Sequence, residues 1–203
     1  MPVTGRTKQE VVSEFRCVEI LEAARKLFAK KGFNEVTMGE IADAAGLAKG
    51  TLYLYFESKR DVYLKTLQRG KAELLERVTA NMQAAEGLRA RIRSLIATRV
   101  KYAEENSDFY KIYLTEFSNV IRPASINREF RELDLKQAQA LEQALREGME
   151  RGEMLPVNAE AAASTIHDMS RSLIVRRLLG WSETDIEEDI DFLCDFIWKG
   201  IGR

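Results

Sequence analysis

Residues 33–59 read FNEVTMGEIADAAGLAKGTLYLYFESK, and this stretch decides the fold. Thr37-Met38-Gly39-Glu40 has the form of a capping box, in which a threonine hydroxyl and a glutamate carboxylate each satisfy an orphan amide at a helix start. A short helix over 37–44 is predicted from it. Gly46 breaks that helix, and a second segment over 48–56 ends where Ser58-Lys59-Arg60-Asp61 opens another. Two short helices around a glycine-containing turn have the helix-turn-helix layout, whose second helix enters the major groove of DNA. On and beside that second helix stand Lys49, Gly50, Thr51, Tyr53, Tyr55 and Lys59, a dense set of phosphate and base-edge chemistry.

Outward from this stretch the chain reads as helix throughout. Upstream, Cys17, Ile20, Leu21, Ala24, Leu27 and Phe28 form one apolar stripe, which predicts a helix over 13–31 with Ser13 as N-cap and Gly32 as stop. Downstream, apolar residues recur at three- and four-residue steps and predict helices over 58–84, 88–105, 108–120, 124–151, 159–179 and 184–200. Asn106-Ser107-Asp108, Arg122-Pro123, Gly152 to Pro156 and Gly180 to Thr184 mark the breaks. No period-2 run bounded by turn pairs suggests a strand. The expected fold is all-α with about nine helices: a three-helix domain over 1–65, then a helical domain over 66–203.

With 45% hydrophobic and 31% charged residues in 203, the chain has the balance of a soluble globular protein. The opening ten residues lack the apolar stretch of a secretory signal, and no segment runs 18 apolar residues uncharged, so a cytoplasmic address without membrane insertion is expected. Its two cysteines, Cys17 and Cys194, are too few and too far apart for a disulfide framework or a zinc spacing. They read as buried apolar residues. The net charge of -1 hides an asymmetry, with 12 Lys/Arg against 9 Asp/Glu in residues 1–70 and 19 against 23 beyond. A basic front favours a polyanion. Arg6 and Lys8 extend it into an arm that could reach a neighbouring groove.

The stretch quoted above, with Ala24-Arg25-Lys26-Leu27-Phe28-Ala29-Lys30-Lys31-Gly32 before it, resembles the N-terminal domain of TetR-family transcriptional regulators. That resemblance implies a homodimer binding a palindromic operator in double-stranded DNA, usually as a repressor released by a small-molecule effector. It implies phosphate contacts at Thr37, Lys49, Tyr55 and Lys59, with Gly50, Thr51 and Tyr53 nearest the base edges. In one respect the chain departs from many relatives, which carry Ser or Thr where Ala48 opens the recognition helix. The absent hydroxyl is worth about 0.5 to 2 kcal/mol if nothing replaces it.

In the second domain Tyr102, Phe109, Tyr110, Tyr113 and Phe117 supply an aromatic cluster of the kind that walls ligand cavities, or fills a core. His167 and Arg171, one turn apart, could anchor a polar group. Ile166, Leu173, Ile174, Ile186, Ile190, Leu193, Phe196 and Ile197 make the last two helices more apolar than one buried face requires, which suggests a dimer surface. No nucleophile elbow, phosphate loop or metal signature accompanies His167 and Asp168, so neither an enzyme nor a bound cofactor or metal is expected. Two other readings stay open: a redox-responsive regulator using Cys17 or Cys194, and a helical adaptor without an effector pocket.

Overall fold

The computed structural model describes residues 7–118 and 128–203, apart from the side chains of Lys8, Gln9 and residues 116–118, 128–135 and 137. Arg6 and the Arg122-Pro123 break lie outside the described residues, as does the side chain of Phe117. Nine α-helices occur among the described residues: α1 Lys8–Glu35, α2 Met38–Ala44, α3 Lys49–Leu52, α4 Lys59–Ala84, α5 Leu88–Glu105, α6 Ser107–Ser118, α7 Arg128–Glu150, α8 Ala159–Leu178 and α9 Ile186–Ile201. The fold is all-α, as the periodicity requires. No described helix is long and apolar enough to cross a membrane.

Two differences from the predicted boundaries have local causes. The first helix starts at Lys8 because Thr7 forms a complete capping box: Glu10 N donates to Thr7 Oγ1 at 3.2 Å, and Thr7 N donates to Glu10 Oε2 at 2.7 Å. Ser13 therefore lies inside the helix. At the other end Gly32 does interrupt the spiral, at φ 78°, but helical geometry resumes beyond it to Glu35. The recognition segment is shorter than predicted, because α3 closes at Leu52 and residues 53–55 continue as hydrogen-bonded turns.

The chain divides into two compact units, residues 1–69 with 108–125 and residues 70–107 with 126–203. The division falls within α4, and α6 groups with the first unit. Buried Ile20, Ala24 and Phe28 of α1, Ile41 of α2, Leu52 of α3 and Phe56 fill the centre of the first unit. Among the buried residues of the second are Leu74 and Val78 of α4, Ile92 and Ile96 of α5, Leu141 and Leu145 of α7, Ile166 and Ile174 of α8, and Ile190 of α9. At its surface α5 is tied to its neighbours by ion pairs, Arg91 to Glu147 at 3.1 Å, Arg93 to Asp191 at 2.7 Å, and Glu104 to Arg177 at 2.6 Å. Such exposed pairs fix register more than they add stability.

Candidate nucleic-acid interface

At the start of α2 the capping box is present in full. Thr37 Oγ1 accepts from Glu40 N at 3.2 Å, while Glu40 Oε2 accepts from Thr37 N at 2.8 Å and from the Thr37 hydroxyl at 2.9 Å. Lys31 Nζ donates to the other carboxylate oxygen at 2.6 Å. That lysine bond, with the two bonds from Thr37, pulls the Glu40 carboxyl down to about 2. The cap is thus charged at neutral pH, and it links the end of α1 to the start of α2.

The turn that follows is a Schellman motif. Gly46 N donates to Asp43 O at 3.1 Å and Leu47 N to Ala42 O at 2.9 Å, with Gly46 at φ 66°. A residue with a Cβ is strained there, which explains why glycine stands between the two helices. The next helix starts at Ala48, which is extended at φ -66° and ψ 141° and supplies no side-chain cap. The hydroxyl expected to be missing is missing, and among the described residues no side-chain cap bond takes its place.

Packing sorts the recognition segment by face. Leu52 and Phe56, four apart, are buried. Lys49, Gly50 and Tyr53 are exposed, while Thr51 and Tyr55 are half-buried. Lys59 opens α4 in a different role from the one its neighbours suggest: its ammonium donates to Phe33 O at 2.7 Å and Asn34 O at 3.1 Å, and stands 4.5 Å from the centre of the Phe33 ring. Two of its three donors hold the end of α1, which leaves one for an outside anion. Sequence reading missed this tie because both acceptors are backbone carbonyls, 26 and 25 residues away, that leave no mark in side-chain pattern. Phe33, in turn, packs with Tyr63 at 4.9 Å and Phe28 at 6.1 Å, so the lysine closes an aromatic cluster.

The expected ligand residues are distributed over both units. Phe109, Tyr110 and Tyr113 of α6 are buried against one another, with ring centres 5.4 to 5.9 Å apart. Tyr102 is buried in the second unit, where its hydroxyl donates to Gly70 O at 3.1 Å. His167 is 6% exposed, and Arg171 Nη2 approaches its Nδ1 at 3.2 Å. Burial, then the charges of Arg99, Lys71 and Arg171, push the imidazole far below its ordinary value, so it is neutral in the folded chain. Arg171 also pairs with Asp168 at 2.8 Å.

Two open clefts lie in the second unit. One, of about 750 Å³, is lined by Leu88, Arg89, Arg93, Cys194 and Trp198 among others; the second, of about 470 Å³, is lined by Arg77, Asn81, Thr98, Tyr102 and Glu105 among others. Among the described residues expected to face a ligand, Tyr102 alone borders either cleft.

Of the eight residues expected at a dimer surface, Ile166, Leu173, Ile174, Ile190, Leu193 and Ile197 are buried within the single chain. Their stripe is the core face of α8 and α9, so it has no area left to offer a partner. Ile186 is half-buried, and Phe196 is 59% exposed. Phe192, 72% exposed, stacks on Phe196 at 6.3 Å, and Leu179 and Trp181 are also exposed. The apolar surface of this helix pair is therefore carried by a different set of side chains. Both thiols are held protonated by burial, Cys17 above its ordinary value and Cys194 at about 11. This works against the redox reading, because the thiolate is the reactive form. Among the described residues no cluster of His, Cys, Asp or Glu could hold a metal ion.

Comparison with known proteins bears first on the N-terminal part of the chain. Residues 20–66 match the family described as bacterial regulatory proteins, tetR family. Over these residues the chain is similar to the DNA-binding domain of that family. It is 33% identical over 103 residues to the HTH-type transcriptional activator FasR of Mycolicibacterium smegmatis, covering 48% of this chain and 47% of that protein. To the HTH-type transcriptional repressor KstR2 of Rhodococcus jostii it is 29% identical over 124 residues, covering 58% and 61%. The chain thus aligns with about half to three-fifths of these relatives. The fold extends further: the regulator FadR of Bacillus subtilis, solved in complex with stearoyl-CoA, superposes with a TM-score of 0.78 over 89% of this chain and 96% of that one, at 18% identity.

Proposed function

We propose that the protein is a ligand-responsive transcriptional regulator: a homodimer whose helix-turn-helix units bind a palindromic operator in double-stranded DNA and repress until a small-molecule effector binds. The observation that carries this reading is the α2-turn-α3 unit, whose inner face is closed by Leu52 and Phe56 while Lys49, Gly50 and Tyr53 stand outward. Lys49 and Tyr55 are assigned to phosphates, with Lys59 contributing its remaining donor; Thr37, whose hydroxyl and amide both donate to Glu40, reaches a phosphate only if the hydroxyl exchanges that bond; Gly50, Thr51 and Tyr53 are assigned to base edges. Dimerisation is assigned to Phe192, Phe196, Leu179 and Trp181, an exposed apolar set that water disfavours. A two-fold dimer suits two half-sites one helical turn apart.

Effector binding is assigned to the second unit, with Tyr102 at the edge of the smaller cleft and His167 and Arg171 as polar groups of the same unit. The stearoyl-CoA complex of the FadR neighbour supports a ligand-bound state for this fold. Because one named relative is an activator and the other a repressor, the sign of the output is tested directly. Fluorescence anisotropy with the duplex upstream of the protein's own gene should show binding that weakens with salt, log K falling by about 0.9 per phosphate contacted for each unit of log salt. The Lys49→Ala/Tyr53→Ala variant should bind about tenfold more weakly, the discrimination that one good side-chain pairing with a base edge provides. Equal binding by wild type and variant sinks the assigned contacts, and a reporter that rises with added protein overturns repression.

A further inference from the structure

The recognition segment exposes one residue that the helix-turn-helix reading does not use. Leu54 is 82% exposed, the most exposed large apolar side chain among the described residues, and it lies between Tyr53 and Tyr55 on a surface otherwise built for a polyanion. The backbone continues the spiral through it: Leu54 N donates to Thr51 O at 3.1 Å, and Tyr55 N and Phe56 N both donate to Leu52 O at 3.1 Å. Helical spacing therefore puts Leu54 one turn beyond Gly50 and Thr51, opposite the buried Leu52 and Phe56.

Gly50 supplies an independent observation on the same face. Its φ is not positive, and a Cβ added there would meet nothing within 4 Å. Neither backbone conformation nor packing within the protein calls for glycine, a poor helix former. Close approach by an outside body does call for it. An exposed leucine one turn from a bare stretch of helix presents apolar surface where the backbone can come nearest a base edge. Among base edges in the major groove, thymine alone carries a methyl group.

We infer that Leu54 is a specificity-determining residue that packs against a thymine 5-methyl group in the major groove of the operator, next to the backbone approach at Gly50. The inference rests on the DNA-binding reading above, and its test separates the two. Selection of duplexes from a random pool by the full chain gives the preferred sequence. Each thymine in that duplex is then replaced singly by deoxyuridine, which removes the methyl and nothing else. For the wild type, one replacement should weaken binding about fourfold, the ratio set by the transfer of one methyl-sized group. For Leu54→Ala the same replacement should have no effect, while affinity for random duplex stays at the wild-type value. A side chain this exposed can be truncated without unfolding, which a matching thermal melt verifies.

Enrichment of a sequence, followed by deoxyuridine effects of equal size in wild type and Leu54→Ala, overturns the inference and leaves DNA binding standing. A drop in the affinity of Leu54→Ala by the same factor on selected and random duplexes also overturns it, since the leucine would then be touching sugar. Failure of the wild type to enrich any sequence removes the DNA-binding reading itself.

Discussion

The α2–α3 pair and the α8–α9 pair are built on opposite plans. In the first, polar devices set the geometry: a charged capping box at Thr37 and Glu40, the Lys31 bond that reinforces it, a left-handed glycine at 46, and Lys59 holding two carbonyls of α1. Its outward face is left to Lys49, Gly50, Tyr53 and Leu54. In the second, apolar burial sets the geometry, with Ile166, Ile174, Ile190 and Ile197 facing inward and His167 neutral among them. Hydrogen-bonded caps place short helices accurately with little core, whereas long helices are placed by how their stripes interlock.

If burial sets the second pair, truncating its core should do the most damage. Ile190→Ala is expected to cost about 2 to 5 kcal/mol in urea unfolding, the range for a large-to-small change at a fully buried site. Changing the exposed set should leave the protomer folded: Phe192→Asp/Phe196→Asp keeps the helical circular dichroism but loses the rise of melting temperature with protein concentration that a dimer shows. A Phe192→Asp/Phe196→Asp protein whose melting still rises with concentration would break the interface assignment.

The next effect in size is acid lability of the second pair. The unfolded chain takes up a proton on His167 near its ordinary value of 6.5, whereas the folded chain resists protonation through burial and the charges of Arg99, Lys71 and Arg171. Stability from this group is therefore full above pH 6.5 and falls below it by about 1.4 kcal/mol per pH unit, or about 2 kcal/mol at pH 5. Replacing His167 with Gln should flatten that slope in pH-dependent unfolding; an unchanged slope would sink the account.

The smallest effect belongs to the first pair. Glu40 is held well below its unfolded value of 4.5, so its contribution is complete above pH 4.5 and is lost as pH falls toward about 2. The protection factor of the Thr37 amide, its exchange rate relative to an unstructured chain at the same pH, should fall over that range in the wild type. In Glu40→Ala, which has no acceptor for that amide, protection should be low throughout.

How much of this is legible in the sequence follows the same division. Thr37, Glu40 and Gly46 announce themselves because capping and left-handed turns demand particular residue types at fixed spacing. The Thr7 to Glu10 box carries the same signal, but it precedes the visible apolar stripe, whose start points to Ser13 instead. In α9 the side chains at 190, 193, 194 and 197 and those at 192 and 196 are apolar on two faces, so composition can count the surplus without saying which face is buried. Spacing alone assigns the core stripe to the surface. Leu54 is hidden for the reverse reason: one leucine in a run of aromatic and apolar residues looks like core until its neighbours at 52 and 56 are seen to occupy it.

Gly50 also separates what a protein engineer selects for from what the proposed function needs. Alanine there fits the backbone and meets open space, and it should raise helix stability by up to about 1 kcal/mol. A screen that rewards thermal tolerance alone is expected to accept Gly50→Ala readily, enriching variants that melt later and that, on the proposed DNA-binding reading, no longer let the helix close on a duplex.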